Sequence, residues 1–330
     1  MISSESQFYK LNLNKTHTLE DNHQNLQNES PFNTNELNFL ESRYIKVDLD
    51  NCIGKGSFGT LYVALSHQHS YVVLKRYENY TDACHEAEVL RLFGKVRAHP
   101  NIITFFESYV YNKHLYLLLE YSNTGDLTHF YEKTFRLRQS TEEDVFKIFK
   151  DVYSGVEHMH NNGWAHRDLK FENILAFRDV LKPINTTFKL IDFGSAVFGI
   201  TNDGKCKSFR KHCGSPFTMA PEVTLMPYNA FLYDSYSLGV ILYGLFHDQQ
   251  YPHSVDTNDI NDSQEWLISY NKKKQDLNAI MFRDDISQEL KSLIMGLIVA
   301  NPINRTIVQH IKESKWWHIR HKQLVFNNKC

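Results

Sequence analysis

Between residues 44 and 121 apolar positions recur mostly at every second residue. Residues 44–52 alternate, 60–65 are rich in β-branched and aromatic side chains, and 71–76 form a compact apolar run around a lysine. Residues 102–110 and 115–121 add two more strand patterns, and only 81–93 breaks the rhythm, with Ala83, Ala87, Val89 and Leu90 at helical spacing. After Gly125 the apolar period lengthens. Ser140-Thr141-Glu142-Glu143 reads as a capping box opening an amphipathic helix through His160, which Asn161-Asn162-Gly163 closes. Further helices are expected over 234–246, 264–269, 287–299 and 307–315, and no period repeats. The pattern predicts an α+β protein: a small β-rich lobe with one main helix (44–121), a short hinge, and a larger, mostly helical lobe (122–320). Ligands favour such junctions.

Residues 1–43 stand apart. Eight are Asn, many others are Ser, Thr, Gln or acidic, and Gly is absent. They read as a disordered polar tail, and 321–330 as a short C-terminal tail. The first ten residues lack the apolar centre of a secretory signal, and Glu5, Glu20, Asp21 and Glu29 disfavour a transit peptide. With 36 Lys+Arg against 38 Asp+Glu the net charge is −2, which argues against a protein that works by gripping nucleic acid or anionic membrane. The longest apolar runs, 238–246 and 293–300, are too short for a membrane span, which needs roughly 20 residues. Cys52, Cys84, Cys206, Cys213 and Cys330 never form CxxC, so free thiols in a reducing intracellular compartment, cytoplasmic or nuclear, are expected.

Three short stretches carry chemistry. Gly54-Lys55-Gly56-Ser57-Phe58-Gly59 lies between two strand patterns, where glycines let backbone N–H groups approach phosphates. A dinucleotide-binding fold would need a helix directly after the glycines. Here a strand follows, which suits a flap over ATP. Lys75, ending an apolar strand, could pair with Glu86 of the following helix and aim its ammonium at phosphate oxygens; Glu88 faces elsewhere. The third is His166-Arg167-Asp168-Leu169-Lys170-Phe171-Glu172-Asn173, followed 19 residues later by Asp192 in Leu190-Ile191-Asp192-Phe193-Gly194. Phosphoryl transfer wants a carboxylate to receive a hydroxyl proton, a lysine to neutralise the moving phosphoryl group, and oxygen ligands for Mg²⁺.

These motifs, in this order, resemble the eukaryotic protein kinases over roughly residues 44–317, on the serine/threonine side. The resemblance implies a two-lobed kinase fold using ATP and Mg²⁺. It implies a glycine-rich loop at Gly54, Gly56 and Gly59, the Lys75–Glu86 ion pair, a catalytic base at Asp168, a phosphate-neutralising Lys170, and metal ligands at Asn173 and Asp192. Leu119, Glu120, Tyr121 and Ser122 resemble the gatekeeper and hinge; Asp126 falls where ribose is contacted, and Leu175 where adenine is floored. Gly214–Glu222 resembles the peptide-docking loop, with Ser215 at its serine/threonine-specific position. Glu222 would pair with Arg305, and Asp234 would anchor the catalytic loop.

Some positions depart from the family pattern. Val73 and Leu61 narrow the pocket roof, Tyr236 stands where Trp is common, and Lys211 where many relatives carry a phosphorylatable Thr. A lysine there would repel Arg167, so either the loop turns it away or another group supplies the anion. Ser208 and Thr201 are the hydroxyls available for modification. Glu172 and Asp126 together suggest a basic residue three positions before the acceptor. The expectation is an active, monomeric serine/threonine kinase acting on protein substrates, with no nucleic-acid partner. A catalytically silent pseudokinase scaffold is the alternative, though Lys75, Asp168, Asn173 and Asp192 are all present. The Lys272-Lys273-Lys274 run is expected to be a solvated surface, and the pairs His67/His69 and His158/His160 to be structural rather than metal ligands.

Overall fold

A computed structural model describes residues 32–43, 45–56, 59–66, 70–78, 80–179, 185–225, 227–253 and 264–327. These fall into two compact units. One runs to Ala98 and from Ile103 to Gly125; the other takes His99–Ile102 and everything described from Asp126 onward.

The first unit is built on a five-stranded antiparallel sheet of order β1-β2-β3-β5-β4. Its strands are β1 (Ile45–Gly56), β2 (Gly59–Ser66), β3 (Tyr71–Tyr77), β4 (Phe105–Tyr111) and β5 (His114–Glu120). Because strand side chains alternate, the sheet has two distinct apolar faces. Ile53, Leu61, Val63 and Val73 cluster on one, with Leu119 and Tyr121 against them. Tyr62, Ala64, Val72, Leu74, Tyr116 and Leu118 cluster on the other.

That second face corrects the expectation of a disordered tail over 1–43. Residues 1–31 lie outside the described residues, but Thr34–Ser42 is a helix, α1. Asn33 caps it: its side chain accepts from the Glu36 N–H at 2.9 Å, and Glu36 accepts from the Asn33 N–H at 3.0 Å. Phe32 and Leu40 are buried in the cluster on that second face. An asparagine cap and a nine-residue helix rich in Asn leave little periodic signal, so burial against the sheet, not propensity, makes this helix.

Helix α2 (Tyr80–Arg91) continues into a π-helical turn, Leu92–Val96. The strand expected from residue 102 starts instead at Phe105. Ile102 belongs to the second unit, where it bridges Leu190. Asn101 reinforces this, accepting from the Leu190 N–H and donating to the Phe188 carbonyl, both at 2.9 Å. Tertiary pairing there overrides the local strand pattern.

The second unit contains α3 (Leu127–Thr134), α4 (Glu142–Asn161), α5 (Ala230–Phe246), α6 (Gln264–Lys273), α7 (Gln288–Leu297) and α8 (Lys315–Asn327). The capping box of α4 pairs Thr141 with Asp144, one residue later than the sequence suggests. Short ladders complete the unit: β6 (Trp164–Ala165) with β9 (Val197–Phe198), β7 (Ile174–Arg178) with β8 (Thr186–Leu190), and β10 (Ser208–Phe209) with β11 (Tyr228–Asn229). Helix α5 is buried along nearly its whole length. Residues 308–313 form 3₁₀ turns, and α8 runs to Asn327, so residues 321–327 are helix rather than tail. Trp316 and Trp317 anchor α8 against Phe146 and Tyr153, with the Trp316 indole donating to Glu142 at 2.8 Å. Among the described residues no helix is long and apolar enough to cross a membrane.

Candidate active site

In the first unit, strand register places the phosphate-binding candidate. Lys75 lies opposite Leu61, and Val73 opposite Val63, so Lys75 shares a face with the predicted adenine-lining residues Leu61, Val73 and Leu119. Helix α2 brings Glu86 to it: Lys75 Nζ lies 2.9 and 3.0 Å from the two carboxylate oxygens. The Tyr77 hydroxyl also donates to Glu86, and its ring lies 4.9 Å from Nζ. Burial pushes the Tyr77 phenol far up, so it stays a donor. Gly54 pairs with Leu61, and Gly56 with Gly59, at the tip of the β1–β2 hairpin; Ser57 and Phe58 lie outside the described residues. Gly59 has φ +146°, and a Cβ there would strike the Arg76 carbonyl, so only glycine fits. At the end of β5, the Glu120 N–H donates to Thr104 at 3.0 Å. The Ser122 hydroxyl accepts from the N–H groups of Thr124 and Gly125 at 3.2 and 3.1 Å, which turns the chain.

In the second unit one carboxylate collects the chemistry. Asp168 Oδ1 accepts from both the N–H and the hydroxyl of Ser215, each at 2.9 Å. Its Oδ2 accepts from the Asn173 amide at 3.0 Å and lies 3.3 Å from Lys170 Nζ. The same Asn173 nitrogen reaches the Asp168 carbonyl at 2.8 Å, which assigns the amide oxygen, the atom a hard cation takes, to the group's other side. The Ile191 N–H binds the Asn173 carbonyl at 3.0 Å, bringing the Asp192 segment to the same end of the β7–β8 ladder. Asp192 has φ +60° and Arg167 φ +64°; two strained non-glycine residues flank this chemistry. An amide and a carboxylate in this arrangement are hard oxygen donors and fit Mg²⁺.

The loop carrying Asp168 hangs from a buried aspartate on α5. Asp234 accepts from the His166 and Arg167 N–H groups at 2.7 and 2.8 Å and from the His160 imidazole at 2.8 Å. The His166 imidazole donates to the Ile191 carbonyl at 3.0 Å and accepts from the Asp168 N–H at 3.3 Å, tying both motifs to one ring. Arg305 grips Glu222 with two parallel bonds of 2.6 and 2.8 Å.

The remaining predicted residues are less open than the sequence suggests. Asp126 is 3% exposed; it caps α3, accepting from the His129 N–H at 2.8 Å, and bridges Leu175, which is also buried. Burial, with the charges of Glu172 and Glu132, pushes the Asp126 carboxyl up to about 6. Glu172 is the half-buried, more accessible acid of the two.

Comparison with known proteins decides what these residues amount to. The model of the protein kinase domain matches residues 47–317. The chain is 30% identical to serine/threonine-protein kinase kin-29 of Caenorhabditis elegans over 283 residues, 83% of this chain and 31% of that protein. It is 30% identical to serine/threonine protein kinase OSK3 of Oryza sativa subsp. indica over 293 residues, 83% of this chain and 50% of that protein. It is 28% identical to NUAK family SNF1-like kinase 2 of Homo sapiens over 271 residues, 80% of this chain and 39% of that protein. The chain thus spans 31% to 50% of the length of these relatives. It belongs to the protein kinase family.

In this kinase the segment after Asp192 exposes Lys211 and gives Arg167 neutral partners. Lys211 is exposed, and its carbonyl accepts from the Tyr228 hydroxyl at 2.8 Å. Arg167 donates to that same hydroxyl at 3.0 Å and to the Ser195 carbonyl at 2.7 Å, and lies over the Phe209 ring. Ser208 is exposed in β10, paired with Asn229. Gly214 is obligatory: at φ +89°, a Cβ would meet the Tyr233 hydroxyl and the Arg167 carbonyl. Sequence reasoning missed Tyr228, Tyr233 and His160 because their kinase roles come from partners far along the chain. His158 stacks on His99 instead, with ring centroids 4.7 Å apart. His67 and His69 lie outside the described residues, among which no group of three or more potential metal ligands occurs.

Proposed function

We propose that this kinase transfers the γ-phosphate of MgATP to Ser/Thr hydroxyls of proteins, with a basic residue preferred N-terminal to the acceptor. The observation that carries the reading is the single carboxylate of Asp168, contacted by Ser215, Asn173 and Lys170 together. Asp168 receives the acceptor hydroxyl's proton. Ser215 and Asn173 hold its two oxygens apart and oriented, and Lys170 offsets charge on the group in transfer. Lys75, steadied by Glu86, holds nucleotide phosphates. Magnesium, when bound, would neutralise phosphate charge from Asn173 and Asp192.

The basic preference rests on Glu172, whose charge is near enough to raise Asp126. A guanidinium docking at Glu172 is also attracted by the charge of the buried Asp126 carboxylate behind it. Since Asp126 titrates at about 6, affinity for an arginine three residues before the acceptor should weaken as pH falls through that value. Lys211 has no hydroxyl to phosphorylate, and Tyr228 already accepts from Arg167, so activity should not require a phosphate at position 211. The test is a peptide-array profile of purified protein with MgATP, with Asp168→Asn as blank, repeated after phosphatase treatment. Basic-site transfer that survives phosphatase is expected; proline-directed or acidic sites would remove the basic preference, and a signal equal to the blank would remove the kinase reading.

A further inference from the structure

The Lys272-Lys273-Lys274 run is not one surface. Lys272 and Lys273 are exposed, whereas Lys274, just past the end of α6, is 0% exposed. Its Nζ donates to the Pro216 carbonyl at 2.7 Å and to the Met219 carbonyl at 2.8 Å. It lies 4.5 Å from the centroid of the Tyr270 ring and 6.0 Å from that of Tyr236. Burial drives its ammonium well below the ordinary lysine range, with the Glu222 charge opposing. A lysine is seldom buried unless something is gained from its donors.

The gain is legible in the turn it holds. Ser215 contacts Asp168 through both N–H and hydroxyl. The Thr218 and Met219 N–H groups return to the Ser215 carbonyl at 3.2 and 2.9 Å. The Thr218 carbonyl accepts from the Ser237 hydroxyl at 2.8 Å. Two further carbonyls of this turn, those of Pro216 and Met219, end on the single amine of Lys274. Take that amine away and both lose a charge-assisted partner in a water-poor place.

We infer that Lys274 is a positioning residue for protein substrates: its buried amine pins the 215–219 turn where Ser215 meets Asp168. This rests on the reading of residues 214–222 as the segment that docks the acceptor peptide. The residue touches no substrate; it acts through Pro216 and Met219.

The experiment uses the full chain carrying Lys274→Met, which keeps length and removes the donors, beside Lys272→Met/Lys273→Met. Peptide KM should rise on the order of tenfold for Lys274→Met, the scale of losing hydrogen bonds to a charged group. ATP KM should hold within about twofold, because the change is confined to the docking turn. Amide exchange should quicken over residues 215–219, the double variant should match wild type, and Lys274→Arg, which restores donors, should recover part of the loss. Wild-type peptide KM and exchange in Lys274→Met would overturn the inference, as would equal losses in peptide KM, ATP KM and kcat. Should Lys274→Met fail to fold, Lys274→Gln is measured in its place, and unchanged exchange there is equally fatal. A wild-type chain inactive on every peptide would sink the kinase reading alone, since exchange over 215–219 still decides whether Lys274 holds the turn.

Discussion

Lys75 and Arg76 are neighbours on β3, yet they point to opposite faces of one sheet and live different lives. Each meets a glutamate delivered by a helix: Glu86 from α2 for Lys75, Glu36 from α1 for Arg76. On the Lys75 face the Tyr77 hydroxyl joins the pair by donating to Glu86. On the Arg76 face the pair is a knot. Glu36 accepts from Tyr116 at 2.6 Å, from Arg76 at 3.2 Å and from the Asn33 N–H, and contacts His114 at 2.8 Å. Arg76 also binds Glu78 and lies over Phe32. Identical chemistry thus holds the proposed phosphate-binding lysine on one face and ties a helix to the sheet on the other, and the supporting contacts tell them apart.

Four substitutions test that division, in falling order of effect. Glu36→Ala takes from a buried guanidinium its buried acid and leaves it only the exposed Glu78, so about 3–5 kcal/mol of stability should go while kcat per folded molecule holds. Chemical denaturation reads the loss. The pH dependence shares its origin. Burial works to raise the Glu36 carboxyl, but bonds from Tyr116, Asn33 and Arg76 outweigh it and hold it down at about 2. A depressed carboxylate stabilises above its unfolded value near 4.5 and loses that contribution as pH drops toward about 2. Wild type should weaken across that window, and Glu36→Ala should lack this component.

Next, Lys75→Arg keeps the charge and the Glu86 pair but moves the donors. Transfer should drop on the order of 10²-fold, about 2.7 kcal/mol of barrier, with an unchanged melting curve. A variant that melts early instead would put Lys75 among the cohesive contacts. The mirror change, Arg76→Lys, gives up the planar fork that reaches Glu36 and Glu78 together. Roughly 1–2 kcal/mol of stability should be lost, a few degrees in Tm for a chain of this size, with kcat/KM intact. Smallest is Tyr77→Phe, which removes one donor to Glu86; kcat should decline by roughly fivefold, the worth of one hydrogen bond of about 1 kcal/mol. No kinetic change would mean that Lys75 alone fixes Glu86.

The two faces also differ in how readable they were. Lys75 and Glu86 lie 11 residues apart, on a strand and the very next helix, so alternation and helical spacing sufficed to pair them. Glu36 and Arg76 are 40 apart, and α1 lies in a stretch whose composition reads as tail. The catalytic loop divides the same way. Asp168, Lys170 and Asn173 declare themselves within one motif, and Asp234 and Arg305 could be matched to partners. Tyr228, which takes Arg167 in place of an anion, carries no local mark.

The sequence alone determined which residues could do phosphoryl chemistry, because reacting groups sit at fixed spacings on strands, turns and helices whose periods show in the chain. It determined the α+β class and most element positions for the same reason. Tertiary structure decided everything that rests on burial. Lys274 differs from Lys272 and Lys273 only in the ground it occupies, and Asp126 is pushed to about 6 while Glu36 is held at about 2. Desolvation and hydrogen-bond partners are properties of a place in the fold, assembled from segments that can lie far apart along the chain, and no local pattern of residue types encodes them.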